Sequence, residues 1–263
     1  MKNIEEYKQK LRTVGDSIRR KTGKEDKLTL EQMATEIEGI EVGGSNADYV
    51  ALIDDSIVNF KTNGATNIKQ YLFKDSKTIK TADFEGVKSI GAEAFANSSL
   101  ETITNADDLT SIKGSAFHSS AIVEFKSNMD FNITSSSTRV FYGCKNLKTF
   151  FAPQFNLWNT LYIFQNCTAL EKVVVQAGQI GTSNFSGCTS LTALVIHQYQ
   201  NSIATLSGGV NALSDTPIAN GTGYIYVPKA LIEQYKVATN WINFADQFRA
   251  IEDYPEICGG GTQ

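Results

Sequence analysis

Four cysteines, two histidines and a few paired acids are the residues of this 263-residue chain whose types could do chemistry. A thiolate can serve as a nucleophile, a metal ligand or half of a disulfide. Cys144, Cys167 and Cys188 share one context, three residues after a phenylalanine and three before a leucine, as in "FSGCTSL" (Phe185–Leu191). Ser76, Ser98 and Ser120 hold the equivalent place earlier in the chain. A position that takes serine and cysteine alike requires a small side chain in a tight turn. Stacked at successive repeats, the three thiols would span roughly 10 Å, whereas zinc holds each sulfur near 2.3 Å from one centre. Parallel side-chain directions and an odd count argue against a disulfide, although distance alone does not exclude one. Cys258, in the tail "EICGGGTQ", reads as a free thiol.

His118 follows a phenylalanine in a turn and His197 ends an apolar run, too far apart in the repeat to share a site. No nucleophile-elbow motif accompanies either. "SGGVN" (Ser207–Asn211) reads as a plain turn, not a phosphate loop. Asp54–Asp55 and Asp107–Asp108 lack the alternating spacing of a calcium loop. No catalytic residue, metal or cofactor is expected. A net charge of −4 does not fit a nucleic-acid binder. No apolar run nears the roughly 18 residues of a membrane span, so no membrane insertion is expected.

The elements that would position these residues are repeats. Phe73, Phe95, Phe117, Phe141, Phe164 and Phe185 are 22, 22, 24, 23 and 21 residues apart. An aliphatic residue follows each by five or six places: Ile79, Leu100, Ile122, Leu147, Leu170 and Leu191. A second apolar signal precedes several of them, as in "SIGAEAF", "SIKGSAF" and "QIGTSNF". This period fits a leucine-rich-repeat coil. A single coil is too short to bury its apolar side, and stacking puts Phe on Phe and Leu on Leu. "LEKVVVQ" and "LTALVIH" read as short strands, added side by side from coil to coil.

Strand alternation then sends one column outward: Thr104, Lys126, Phe151, Val174 and Val195. Its neighbour reads Thr102, Glu124, Thr149, Lys172 and Ala193. The first column turns from polar to apolar along the chain. A contiguous apolar patch marks a contact surface. The insertion "FFAPQFNLWNTLYIF" lies beside it and offers Phe155, Trp158 and Tyr162 as anchors. The candidate binding surface is therefore Phe151, Val174, Val195, Lys172, Phe155, Trp158 and Tyr162. A C-terminal cap or a neighbouring subunit covering the patch is the competing reading.

The ends differ from the middle. Ile4, Tyr7, Leu11, Val14 and Ile18 fall at a/d heptad positions. Residues 1–40 thus read as a helical hairpin, with Thr29 and Gln32 as a capping box on its second helix. The apolar stripe serves equally as the inner face of the hairpin or as a self-association seam of a homo-oligomer. Residues 41–48 read as a linker, 49–222 as the solenoid and 223–263 as a C-terminal cap and tail. In that last segment a strand at Tyr224–Val227 precedes a helix from Pro228 to about Ala238. The fold class is α+β: a leucine-rich-repeat β-solenoid with an N-terminal helical hairpin and a C-terminal helical cap.

The stretches "VFYGCKNLKTF", "IFQNCTALEKVVV" and "NFSGCTSLTALVI" resemble the BspA-type leucine-rich repeat of bacterial surface and virion proteins. "VGDSIRRKTGKEDKLTLEQMATEIEGI" is similar to a module that precedes such repeats in phage and prophage tail-associated proteins. The resemblance implies a non-enzymatic tail-fibre or tail-tip protein, bound to other virion proteins and to a protein or glycan on a host cell surface. The charged, polar start lacks the apolar core of a secretion signal. The expected location is therefore a virion, assembled in the bacterial cytoplasm and released by lysis. A bacterial cell-surface adhesin and an intracellular interaction scaffold are the alternatives.

Overall fold

The computed structural model describes residues 58–62, 64–128, 138–157, 160–198 and 202–259. The stripe of Ile4, Tyr7, Leu11, Val14 and Ile18, the hairpin and linker assigned to residues 1–48, and Trp158 lie outside the described residues.

Every strand pair in the structure is parallel. One strand per coil builds the main face: β1 (Asn59–Lys61), β3 (Thr81–Asp83) and β5 (Thr102–Thr104) form a three-stranded sheet. A six-stranded sheet then runs β7 (Glu124–Lys126), β8 (Thr149–Asn156), β9 (Lys172–Ala177), β11 (Ala193–Gln198), β13 (Tyr224–Val227) and β14 (Phe248–Ala250). Where β5 meets β7, the Val123 N–H donates to the Glu101 carbonyl at 3.1 Å. A second, narrower ladder carries the apolar signal that precedes each Phe. It joins β2 (Asn67–Ile68), β4 (Ser89–Ile90) and β6 (Ser111–Ile112), and later β10 (Gln179–Ile180) and β12 (Thr205–Leu206). Ile68, Ile90, Ile112 and Ile180 from this ladder are buried. Coils approach closely here: a Cβ on Gly91 would run into the Gln70 backbone, and one on Gly181 into the Thr160 carbonyl.

The core is a column of rings. Phe73, Phe95, Phe117, Phe141, Phe164 and Phe185 stack in register at centroid spacings of 5.3, 5.4, 5.2, 5.6 and 5.4 Å. Their planes lie within 14° of parallel. Phe125 and Phe150, from the strands, meet this stack edge-on, as in Phe150–Phe164 at 4.8 Å and 68°. Offset stacking within the column and edge contacts across it are the two arrangements the ring quadrupole favours.

The turn around each Phe has a fixed backbone pattern. Two residues before it stand Tyr71, Glu93, Ser115, Arg139, Tyr162 and Ser183, all with φ between 52° and 63°. Two residues after it stand Asp75, Asn97, Ser119, Gly143, Asn166 and Gly187, with φ between 53° and 75°. This left-handed alternation lets the N–H groups at these positions and at the Phe point to the next coil. Tyr71, Phe73 and Asp75 donate to the carbonyls of Ala92, Ala94 and Ala96 at 3.1, 2.7 and 2.8 Å. The intervening Leu72, Lys74 and Ser76 close turns onto Lys69, Tyr71 and Phe73. The turn side is thereby hydrogen-bonded from coil to coil much as a sheet is.

After β12 the pattern changes. Gly209–Leu213 is a 3-10 turn, β13 and β14 extend the main sheet, and between them run a 3-10 turn (Lys229–Leu231), helix α1 (Ile232–Val237) and a longer 3-10 stretch (Trp241–Gln247). Sequence reading predicts one helix from Pro228 to Ala238, whereas α1 has six residues. Tyr235 and Trp241 turn inward instead and close the end of the core. The Trp241 Nε1–H donates to the Ala204 carbonyl at 2.6 Å, and the Tyr235 hydroxyl accepts the Ala204 N–H at 2.8 Å. The chain ends its described course with a 3-10 turn (Ile251–Asp253) and helix α2 (Pro255–Cys258).

Candidate binding face on the main sheet

Cys144, Cys167 and Cys188 are fully buried and free, one per coil. Their thiols donate to the carbonyls of Phe117, Phe141 and Phe164 in the preceding coil at 2.9, 3.0 and 3.0 Å. Burial pushes the Cys188 thiol up to about 12 and Cys167 well above its ordinary range. Both stay protonated near neutrality, which is the wrong state for a nucleophile or a metal ligand. No cluster of three potential metal ligands occurs among the described residues.

His118 lies half-buried on the turn side with its ring 5.2 Å from that of Tyr142, and burial lowers its pKa. His197 stands in β11, also lowered by burial. The two belong to different coils and different sides of the repeat. Tyr162 stands in the turn ladder as well, with Arg139 stacked over its ring at 5.1 Å. Sequence reasoning groups Tyr162 with Phe151, but the structure puts one on a turn and the other on the sheet.

The sheet's outer face falls into two halves. Asn59, Lys61, Thr102, Thr104, Glu124 and Lys126 are exposed on β1, β5 and β7, with Thr81 and Asp83 half-exposed between them. This half is tied laterally by Thr81 donating to Asn59 at 2.7 Å and by Asn105 donating to Asp83 at 2.9 Å. On the other half the apolar column is covered. Val174 and Val195 are both 0% exposed and belong to a small second core with Ala193, Tyr226 and Cys258. Ile251, Tyr254 and Ile257 lie over them, so the chain's own C-terminal segment crosses the sheet there. Val174 and Val195 are therefore not open side chains. Phe151 and Lys172, at the margin of the covered ground, are half-exposed.

Phe155 is not on the outer face of the sheet. It is fully buried, 5.2 Å from Phe150 in the main core. The pairing of β8 with β9 slips between Ala152 and Asn156, where the sequence carries Pro153. Four steps along β8, from Ala152 to Asn156, face one step along β9, from Val175 to Gln176, and the three extra residues break the alternation. Simple alternation from Phe151 misses that shift, although a proline inside a strand pattern is its sequence signal.

Residues 66–192 match, in six copies, the BspA type Leucine rich repeat region. Residues 66–192 carry leucine-rich repeats built on parallel strands. Among solved structures, the chain is similar to the T. pallidum leucine-rich repeat protein at 17% identity, over 58% of this chain and 74% of that one, with a TM-score of 0.46. It is also similar to the pneumococcal vaccine antigen PcpA at 18% identity and TM-score 0.39, over 74% of this chain and 42% of that one. A leucine-rich cell surface protein of Faecalibacterium prausnitzii aligns at 12% identity and TM-score 0.27, over 79% of this chain and 92% of that one. No curated protein is significantly similar to the chain. No described helix is long and apolar enough to cross a membrane.

Proposed function

We propose that the chain is a non-enzymatic binding module that engages a protein or glycan through the outer face of its main sheet. The observation that carries this reading is the open half of that face. Regular polar and charged side chains stand there at strand spacing on a backbone held by hydrogen bonds from coil to coil, a rigid lattice with little ordering cost on binding. Such a face suits adhesion or protein–protein contact, and the repeat match at residues 66–192 favours a bacterial cell-surface adhesin over a tail-fibre component. Tail attachment and self-association through residues 1–40, and the division at residues 41–48, 49–222 and 223–263, stand as further parts of the proposal. The purified chain, applied to a panel of cells, glycans and proteins, should bind at least one of them. The double variant Lys126→Glu, Thr104→Lys should weaken that binding by about tenfold through charge mismatch. An unchanged affinity would place the site elsewhere, and a uniformly negative panel would overturn the binding reading. Antibody detection on intact cells or on released particles separates the adhesin from the virion component.

A further inference from the structure

We propose that residues 251–258 form a displaceable strap on the main sheet, and that the ground beneath it is a docking site for an acidic amphipathic peptide segment of a partner protein. This goes beyond the binding reading above and concerns the other, covered half of the sheet. Past β14 the chain doubles back and crosses the sheet from β13 toward β9. Tyr254 sets its ring edge-on to Tyr226 at 5.5 Å. Ile251, Ile257 and Cys258 add the rest of the apolar contact, over Val174, Ala193 and Val195. These contact residues recur every three or four positions, and the residues between them, Glu252, Asp253, Pro255 and Glu256, are exposed.

Three features distinguish this strap from a permanent part of the core. Its backbone bonds close on itself: Tyr254 donates to Ile251, Ile257 and Cys258 to Tyr254, and Gly259 to Pro255. Side chains, which any peptide of the same pattern reproduces, therefore supply its contact with the sheet. Its charges are matched by the body. The Lys229 N–H donates to the Glu252 carboxylate at 2.9 Å and the Lys229 ammonium to Asp253 at 3.1 Å. Finally, the apolar ground runs past the strap's described end to Phe151, which is only half-covered. A longer ligand would bury more there than the strap does. Its chemistry is set by the strap: aliphatic and aromatic residues three apart, with carboxylates between them.

Cys258 reports on the strap in the unmodified full chain. It is 4% exposed at the strap's end, whereas Cys144, Cys167 and Cys188 are 0% exposed in the core. An aromatic disulfide reagent, read by mass spectrometry of the fragments, should label Cys258 at least about tenfold faster than the three core thiols, because local opening precedes global unfolding. Excess synthetic peptide of residues 251–258, carrying Cys258→Ser, should bind the chain and accelerate that labelling. The same peptide with Tyr254→Ser should do neither. Labelling of Cys258 only in step with the core thiols, or a rate indifferent to the peptide, would overturn the proposal. A negative panel of cells and glycans beside a competing peptide would sink the adhesive reading and leave the docking site standing.

Discussion

At the residue scale, the cysteines act as small hydrogen-bonded spacers. Each thiol closes onto the carbonyl of the previous coil's phenylalanine, and Ser120 holds the same column, 3.5 Å from the Cys144 sulfur. Cys167→Ser should therefore shift stability by less than about 1 kcal/mol. Cys167→Val removes the thiol donor and leaves the Phe141 carbonyl with the Cys144 N–H alone, at 3.2 Å, and should cost about 0.5–1.5 kcal/mol more than Cys167→Ser. Urea unfolding of the two variants checks the contrast, and equal losses would refute it. Titration supplies a second test. Cys188 stays protonated to about pH 12 in the folded chain, against 9.0 for the ordinary thiol. Above pH 9 the unfolded chain releases this proton and the folded chain does not. The contribution is therefore complete below pH 9 and is lost as pH rises from there toward 12. Cys188→Ser should flatten the fall in urea midpoint between pH 8 and pH 10.5 relative to the parent. Identical slopes would show that the buried thiol does not drive it. The small-residue column was legible in the sequence because burial repeats with the period. The carbonyl each thiol meets was not, because it belongs to the coil before.

At the element scale, the turns flanking each Phe explain what the sequence could and could not disclose. The position two after Phe reads Asp75, Asn97, Ser119, Gly143, Asn166 and Gly187, types that tolerate a left-handed backbone. The position two before reads Tyr71, Glu93, Ser115, Arg139, Tyr162 and Ser183, which no propensity would send there. Coil-to-coil hydrogen bonds impose that conformation, so the signal lies in the stack and not in the residue. Ser115, at φ 57°, should gain from Ser115→Gly by up to about 1 kcal/mol, since glycine removes the Cβ penalty. Gly187→Ala should do the reverse, losing about 1–2 kcal/mol at φ 75°, because its Cβ would also press on the Asn166 side chain. Thermal midpoints of both variants check the opposite signs. The apolar run of Val174 and Val195 marked a contact surface, but alternation could not choose between an open binding face and one covered by the chain's own tail or a neighbour. Pro153 flipped Phe155 into the core by a bulge whose effect depends on pairing with β9.

At the scale of the whole molecule, stability is distributed along one axis. From Phe73 to Phe185 each coil touches the next through the ring stack and the turn hydrogen bonds, joined by paired strands along most of the length, so coupling is to nearest neighbours. The C-terminal end has additional anchors in Tyr235, Trp241, Phe244 and Phe248, all buried against one another. A break in the middle should therefore separate two halves of unequal firmness. Phe141 is the natural place, since it stacks on both Phe117 and Phe164 and meets Phe125 and Phe150 edge-on. Phe141→Ala should cost about 3–5 kcal/mol through lost transfer energy and the cavity left behind. The loss should not be uniform. In hydrogen exchange, amides of β3 and β5 should lose protection well before those of β9, β11 and β13, which keep the aromatic end and the strap. Uniform loss across all coils would show that the rod unfolds as one unit, with Phe141 merely lowering a common threshold. Loss first in β11 and β13 would show instead that the C-terminal aromatics follow the solenoid, when the packing described here has them hold it.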